Sequence, residues 1–162
     1  MKILILSDIH GDLKTMNKII QQNLDVDLKI FLGDFQVSIK QQKKLTNLFD
    51  YVVMGNSDYP NISPLKKILE IDGIRILLHH GHYYTSFKAY VDKKMAVKDA
   101  IKNNASIVIH GHNHIGEKSL IDNIIIFNPG SPSFPRGGTK PSYGFMEIEN
   151  GELKKLENIY QF

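Results

Sequence analysis

Lys2-Ile3-Leu4-Ile5-Leu6-Ser7-Asp8-Ile9-His10 opens the chain, and its reading decides the fold. The run Ile3–Leu6 is apolar, rich in β-branched residues and too short for a buried helix, so Lys2–Ser7 reads as a buried strand. From Asp12 to Asn23 the apolar positions Leu13, Met16, Ile19 and Ile20 fall at helical spacing, with Asp12 placed to cap the first turn. Lys29–Leu32 is a second buried strand, stopped by Gly33-Asp34. Ser38–Leu48 is a weak helix whose Lys40, Lys43 and Lys44 make a solvated face, and Tyr51–Met54 is a third strand stopped by Gly55-Asn56. Strand, helix, strand, helix, strand implies parallel strands joined by crossover helices.

The pattern changes after Pro60 and Pro64. Leu65–Ile71 and Ile74–His79 are strands joined by Asp72-Gly73, the residue pair a type I′ hairpin turn requires. Spacing predicts a helix from Phe87 to about Asn103. Strands follow at Ile107–Ile109, Lys118–Ile121, Ile124–Phe127, Tyr143–Ile148 and Leu153–Leu156, the last two joined by Asn150-Gly151. The expectation is one α/β domain over residues 1–162, parallel early and antiparallel late.

Composition narrows the function. The chain has 162 residues, 42% of them hydrophobic and 23% charged, with a net charge of +3. These are ordinary globular values that exclude disorder and coiled coil. The charge is too mild and scattered for a membrane or duplex nucleic-acid surface. There is no cysteine, hence no disulfide framework and no thiol nucleophile. The apolar run at the N-terminus is too short for a signal peptide, and no run suits a membrane span, so the reading is a soluble, cytoplasmic protein.

The seven histidines fall in three places: His10; His79, His80 and His82; His110, His112 and His114. Five motifs stand at strand ends: Asp8-Ile9-His10, Gly33-Asp34, Gly55-Asn56, His80-Gly81-His82 and Gly111-His112-Asn113-His114. Open α/β sheets bind ligands at the carboxyl ends of their strands, so all five are expected in one crevice. In extended backbone, residues two apart share a side, which pairs Asp8 with His10 and His112 with His114. Carboxylates, an amide oxygen and imidazoles suit manganese, iron, zinc, nickel or cobalt, and they are too many for one tetrahedral ion. Two ions about 3.5–4 Å apart would hold the attacking and leaving oxygens of a phosphoryl displacement.

This ordered set resembles the calcineurin-like metallophosphoesterase superfamily. Gly-Asn-Ser-Asp at 55–58 and Asn-Pro-Gly-Ser-Pro-Ser at 128–133 are most similar to its small single-domain phosphodiesterase branch. The resemblance implies a four-layer α-β-β-α sandwich, two mixed sheets face to face with helices outside. It implies one ion held by Asp8, His10, Asp34 and His114, and a second by Asp34, Asn56, His80 and His112, with Asp34 shared. Two divalent ions, manganese foremost, would then activate a bridging hydroxide against a small phosphodiester. His82 and Asn56 are the implied catalytic groups, Arg136 and Ser131 the substrate contacts, and homo-oligomers are compatible with the branch. The same branch contains the scaffold subunit of the retromer coat, which sets the alternative of a non-catalytic interaction scaffold.

Two departures shape the expectation. Many members carry His in Gly-Asn-His-Asp/Glu, where this chain has Ser57, a poor general acid. That predicts a bias toward good leaving groups. Gly33-Asp34-Phe35 lacks the Asp-Arg-Gly continuation of the protein-phosphatase branch, which argues against a phosphoprotein substrate. His79 and His110 read as packed structural histidines, Asp58 as a turn or ligand-orienting group, and Asn113 as facing away. Tyr83, Tyr84 and Phe87 are candidates for an apolar wall, though core packing is the commoner fate.

Overall fold

The computed structural model describes residues 1–85 and 91–160. The first segment runs β1 (Lys2–Leu6), α1 (Leu13–Gln22), β2 (Leu28–Phe31), α2 (Ile39–Thr46) and β3 (Tyr51–Val52). Then come β4 (Lys66–Ile71), β5 (Ile74–His79), a 3₁₀ turn (His82–Tyr84), α3 (Lys93–Lys102) and β6 (Ile107–Ile109). β7 (Glu117–Ile121), β8 (Ile124–Asn128), β9 (Ser142–Glu149) and β10 (Glu152–Tyr160) complete the order.

Two five-stranded mixed sheets result, ordered β10-β9-β1-β2-β3 and β4-β5-β6-β8-β7. β1, β2 and β3 pair in parallel, as do β5, β6 and β8, with antiparallel strands added at the edges. Alternation along each strand sorts the side chains. Ile3, Ile5, Ile30 and Leu32 pack against Ile76, Leu78, Ile107, Ile109 and Phe127 of the second sheet. Leu4, Leu6 and Phe31 point the other way and meet Met16 and Ile19 of α1. Leu77, Val108 and Ile126 meet Ala96, Val97 and Ala100 of α3. These three apolar layers separate four structural ones, the expected α-β-β-α sandwich.

Local chemistry explains the boundaries. Asp12 accepts from Thr15 N at 3.0 Å and starts α1, and a capping box of Ser38 and Gln41 starts α2. Asp72-Gly73 and Asn150-Gly151 both hold positive φ, as their turns demand, and a third such pair, Asp122-Asn123, joins β7 to β8. The third helix is a correction. Apolar spacing predicts it from Phe87, but Val91 bridges to Thr85, and the Asp92 carboxylate accepts from Lys94 N and Met95 N, so α3 begins at Lys93. Residues 87–90 of that prediction lie outside the described residues. Among the described residues no helix is long and apolar enough to cross a membrane.

Gly144 of β9 lies opposite Ile5 of β1, beneath Phe127 of the facing sheet. A Cβ there would stand 2.7 Å from Phe127 Cε1 and 3.0 Å from Ile5 Cβ. Gly144→Ala is therefore expected to overpack the core and lower unfolding free energy by about 1–3 kcal/mol, read by urea denaturation.

Candidate metal centre

The functional loops leave the carboxyl ends of the parallel strands. Asp8 follows β1, Asp34 follows β2, Asn56 lies beyond β3, His80 follows β5, and His112 and His114 follow β6. Both sheets thus contribute to one crevice at their shared edge. The backbone there is unlike the extended form the two-residue spacing assumed. Asp8, His10, Asp34, His112 and His114 hold φ of 55°, 42°, 65°, 74° and 60°. Left-handed conformations are uncommon outside glycine and are most accessible to Asn, Asp and His. The pairing of Asp8 with His10 survives, but through these turns and not through strand alternation.

The turns are held by main-chain bonds between loops. Asp8 N donates to Gly33 O at 3.0 Å, His10 N to Asp34 O at 3.2 Å, and Gly111 N to His80 O at 2.8 Å. Asp58 does most to fix the second loop. Its carboxylate accepts from Asp34 N at 2.9 Å, Phe35 N at 2.8 Å and Gly55 N at 2.8 Å, the orienting role the sequence suggested.

At the centre, five of the seven expected donors converge. Asp8, His10 and His114 place ligand atoms within 4.8 Å of one another, and so do Asp8, Asp34 and His80. Asp8 Oδ1 lies 3.4 Å from His114 Nε2, 3.8 Å from His80 Nε2 and 3.9 Å from His10 Nε2. Asp34 Oδ2 lies 3.5 Å from His80 Nε2 and 3.7 Å from His10 Nε2. Asn56 Oδ1 adds a sixth donor, 3.2 Å from His80 Nε2. The His112 ring stands 5.1 Å from that of His80 and lines the cleft. The resemblance implied Asp34 as the shared carboxylate. In the structure Asp34 Oδ2 reaches both His10 and His80, and Asp8 Oδ1 likewise belongs to both groups, while Asp34 Oδ1 accepts from Ser57 N at 2.8 Å.

These residues fit a cation. His10 Nδ1 lies 2.6 Å from Gln36 Oε1, His80 Nδ1 2.7 Å from Leu32 O and His114 Nδ1 2.6 Å from Phe134 O. Each Nδ1 faces an oxygen acceptor, so with the proton there Nε2 is left to face a cation. His10 Nε2 and His114 Nε2 then meet at 3.0 Å with no hydrogen between them. Among the described residues Asp8 Oδ1 is buried without any hydrogen-bond partner. Facing lone pairs and an orphaned carboxylate oxygen are reconciled by positive charge. Protonation follows the same field. Burial opposes a charged His80, but Asp8 and Asp34 outweigh it and raise its pKa to about 9, so a cation bound there would take the place of the Nε2 proton. Burial works against the Asp34 carboxylate too, yet His80 holds it well below the usual range. Burial, reinforced by the charge on His80, pushes His112 down to about 4.

The site opens into a cleft of about 580 Å³ lined by His10, Asn56, Ser57, His112, Phe134 and Arg136 among others. Ser131 does not line it. That residue is fully buried, its hydroxyl donating to Asp8 O at 2.7 Å and accepting from Phe134 N at 2.8 Å, so it braces the loop and does not face substrate. His82 is also outside the lining, its ring 5.4 Å from that of His80, with a buried Nδ1 that has no partner among the described residues. Asn113 Oδ1 accepts from Asn128 Nδ2 at 2.6 Å, away from the cleft. His79 and His110 are buried and stacked at 5.6 Å, as packed histidines should be. Tyr83 and Tyr84 line a separate cavity of about 190 Å³ with His79, and Phe87 lies outside the described residues. Gln36 and Phe134 were not foreseen, since neither belongs to a motif.

A two-sheet sandwich with carboxylates and imidazoles gathered at its strand ends carries the donor set of a metal centre. Residues 1–151 match the calcineurin-like phosphoesterase superfamily domain, and the chain belongs to that superfamily. It is 30% identical over 156 residues to a probable metallophosphoesterase of Mycoplasma pneumoniae, covering 96% of this chain and 94% of that one. It is 28% identical over 174 residues to a phosphodiesterase of Methanocaldococcus jannaschii, with coverages of 96% and 98%. The crystal structure of Vps29 complexed with zinc from Entamoeba histolytica shares the fold at a TM-score of 0.73, with 19% identity and 99% of each chain covered.

Asp58 offers a direct test of the loop framework. Asp58→Ala orphans three amides at about 1–3 kcal/mol each. It is expected to lower unfolding free energy by several kcal/mol and to weaken manganese binding about 10–100-fold, measured by denaturation and calorimetry.

Proposed function

We propose that the protein is a phosphodiesterase that works with two divalent ions, manganese foremost, on small phosphodiesters. The observation that carries this is the meeting of His10 and His114 lone pairs beside the orphaned Asp8 Oδ1. Asp8, His10 and His114 would hold one ion; Asp34, Asn56, His80 and His112 would hold the other, with Asp8 and Asp34 both reaching across. Ions bound there would supply hydroxide at neutral pH and polarise the phosphoryl oxygens.

The chain's own residues do the rest. Asp58 fixes the Asp34 and Gly55 loops, and Gln36, Leu32 and Phe134 hold three imidazoles in the ligating tautomer. Arg136, exposed at the cleft mouth with its N–H donating to His114 O at 3.2 Å, is placed to fork onto a phosphate oxygen. Ser57 lies in the cleft with its hydroxyl 3.2 Å from Asp34 Oδ2, and a hydroxyl donates a proton poorly at pH 7. The enzyme therefore favours esters whose alcohol leaves without protonation.

A non-catalytic scaffold is the second reading, and the fold shared with Vps29 favours it. Metal-stripped protein, resupplied with single metals and offered bis(p-nitrophenyl) phosphate and p-nitrophenyl phosphate, separates the two. Two manganese ions per chain and faster diester turnover are expected; inertness with every metal leaves the scaffold. Asp34→Asn is expected to cut kcat/KM at least about 100-fold with the circular dichroism spectrum retained. Arg136→Ala is expected to raise KM about tenfold with kcat little altered, read from initial rates.

A further inference from the structure

Phe134 is half-exposed, at 50%, inside a cleft otherwise lined mainly by polar and charged groups. Its ring packs perpendicular to that of His10, with centroids 5.7 Å apart. Its backbone is tied to the metal centre at both ends. Phe134 N donates to Ser131 Oγ at 2.8 Å, and Ser131 in turn donates to Asp8 O. Phe134 O accepts from His114 Nδ1 at 2.6 Å, and Arg136 N returns to His114 O at 3.2 Å. The three apolar layers of the fold do not include this ring. A large aromatic surface thus stands in the cleft against His10, on a backbone held at both ends. Rigidity matters because a preorganised contact loses little conformational freedom on binding.

We infer that Phe134 is a stacking platform for a flat ring on the retained ester group, and that diesters whose retained group is aryl or nucleoside are preferred. The inference rests on the phosphodiesterase reading and adds to it the identity of one ester group. Arg136 beside it supplies a second anchor to the phosphate, so ring and charge are recognised by neighbouring residues of one loop. An alkyl group in the retained position engages only the charge. Aromatic stacking discriminates by surface and not by hydrogen bonding, so it accepts phenyl and nucleobase alike.

The test uses the manganese-loaded protein and three diesters that share p-nitrophenolate as leaving group, with methyl, phenyl or thymidine-5′ as the retained group. The common leaving group keeps the chemistry constant. The phenyl and thymidyl esters are expected to show KM about tenfold below the methyl ester. Phe134→Ala is expected to collapse that ratio toward one through KM, with kcat ratios unmoved, and Phe134→Tyr to restore it. Equal KM values in the wild type, or a ratio that survives Phe134→Ala, overturn the platform and leave the phosphodiesterase standing. A change in mass by light scattering on Phe134→Ala with the KM ratio intact assigns the ring to a subunit contact and overturns it as well. No turnover of any of the three overturns both readings together.

Discussion

Two carboxylates and three inward-facing imidazole nitrogens share a few ångströms of buried space, and the surrounding architecture exists to keep them there. The two carboxylates repel one another, as do facing imidazole lone pairs, and water is kept from Asp8 Oδ1 by burial. Two restraints oppose the repulsion. Strand ends are fixed by sheets whose cores are fully buried, and the loops beyond them are cross-tied by main-chain bonds such as Asp8 N to Gly33 O and Gly111 N to His80 O. Five donors in left-handed backbone show how tightly the loops are determined, since each such residue costs of order 1–3 kcal/mol and persists only where its surroundings impose it.

The site is also a seam. Asp8, Asp34 and Asn56 come from loops of the first sheet, and His80, His112 and His114 from loops of the second. Neither sheet alone gathers a complete donor set. The apolar layer between them, from Ile5 and Leu32 across to Leu78 and Phe127, sets the separation of the two halves. His80 bridges directly, its Nδ1 bonded to Leu32 O on the opposite sheet. Packing and chemistry therefore share one spacing.

Much of this was legible in the residues. Short aliphatic runs, glycine turns and paired hairpin residues placed ten strands and three helices near their observed positions, because buried strands and two-residue turns have narrow local requirements. The motif order placed the donors at strand ends for the same reason. What escaped was set by particular contacts that apolar spacing and motif order do not encode. Apolar spacing carried the third helix back to Phe87, while Asp92 and the Thr85–Val91 bridge fix its start at Lys93. Ser131 belongs to a motif, yet its hydroxyl is turned inward by Asp8 O, more than a hundred residues away. Gln36 and Phe134 carry no motif at all; only the positions of His10 and His114 give them meaning. The left-handed turns themselves were hidden, since Asp and His at those positions look like ordinary strand continuations.

Two glycines carry a different record. A side chain at Gly55 would run into Asp34, and one at Gly111 into Ser7 and Asp8, so no other residue fits while the loops keep their course. A descendant that abandoned catalysis for a purely structural duty would be free to exchange its imidazoles one by one. The bare backbone at 55 and 111 would outlast them, a fossil of the crevice after the chemistry had gone.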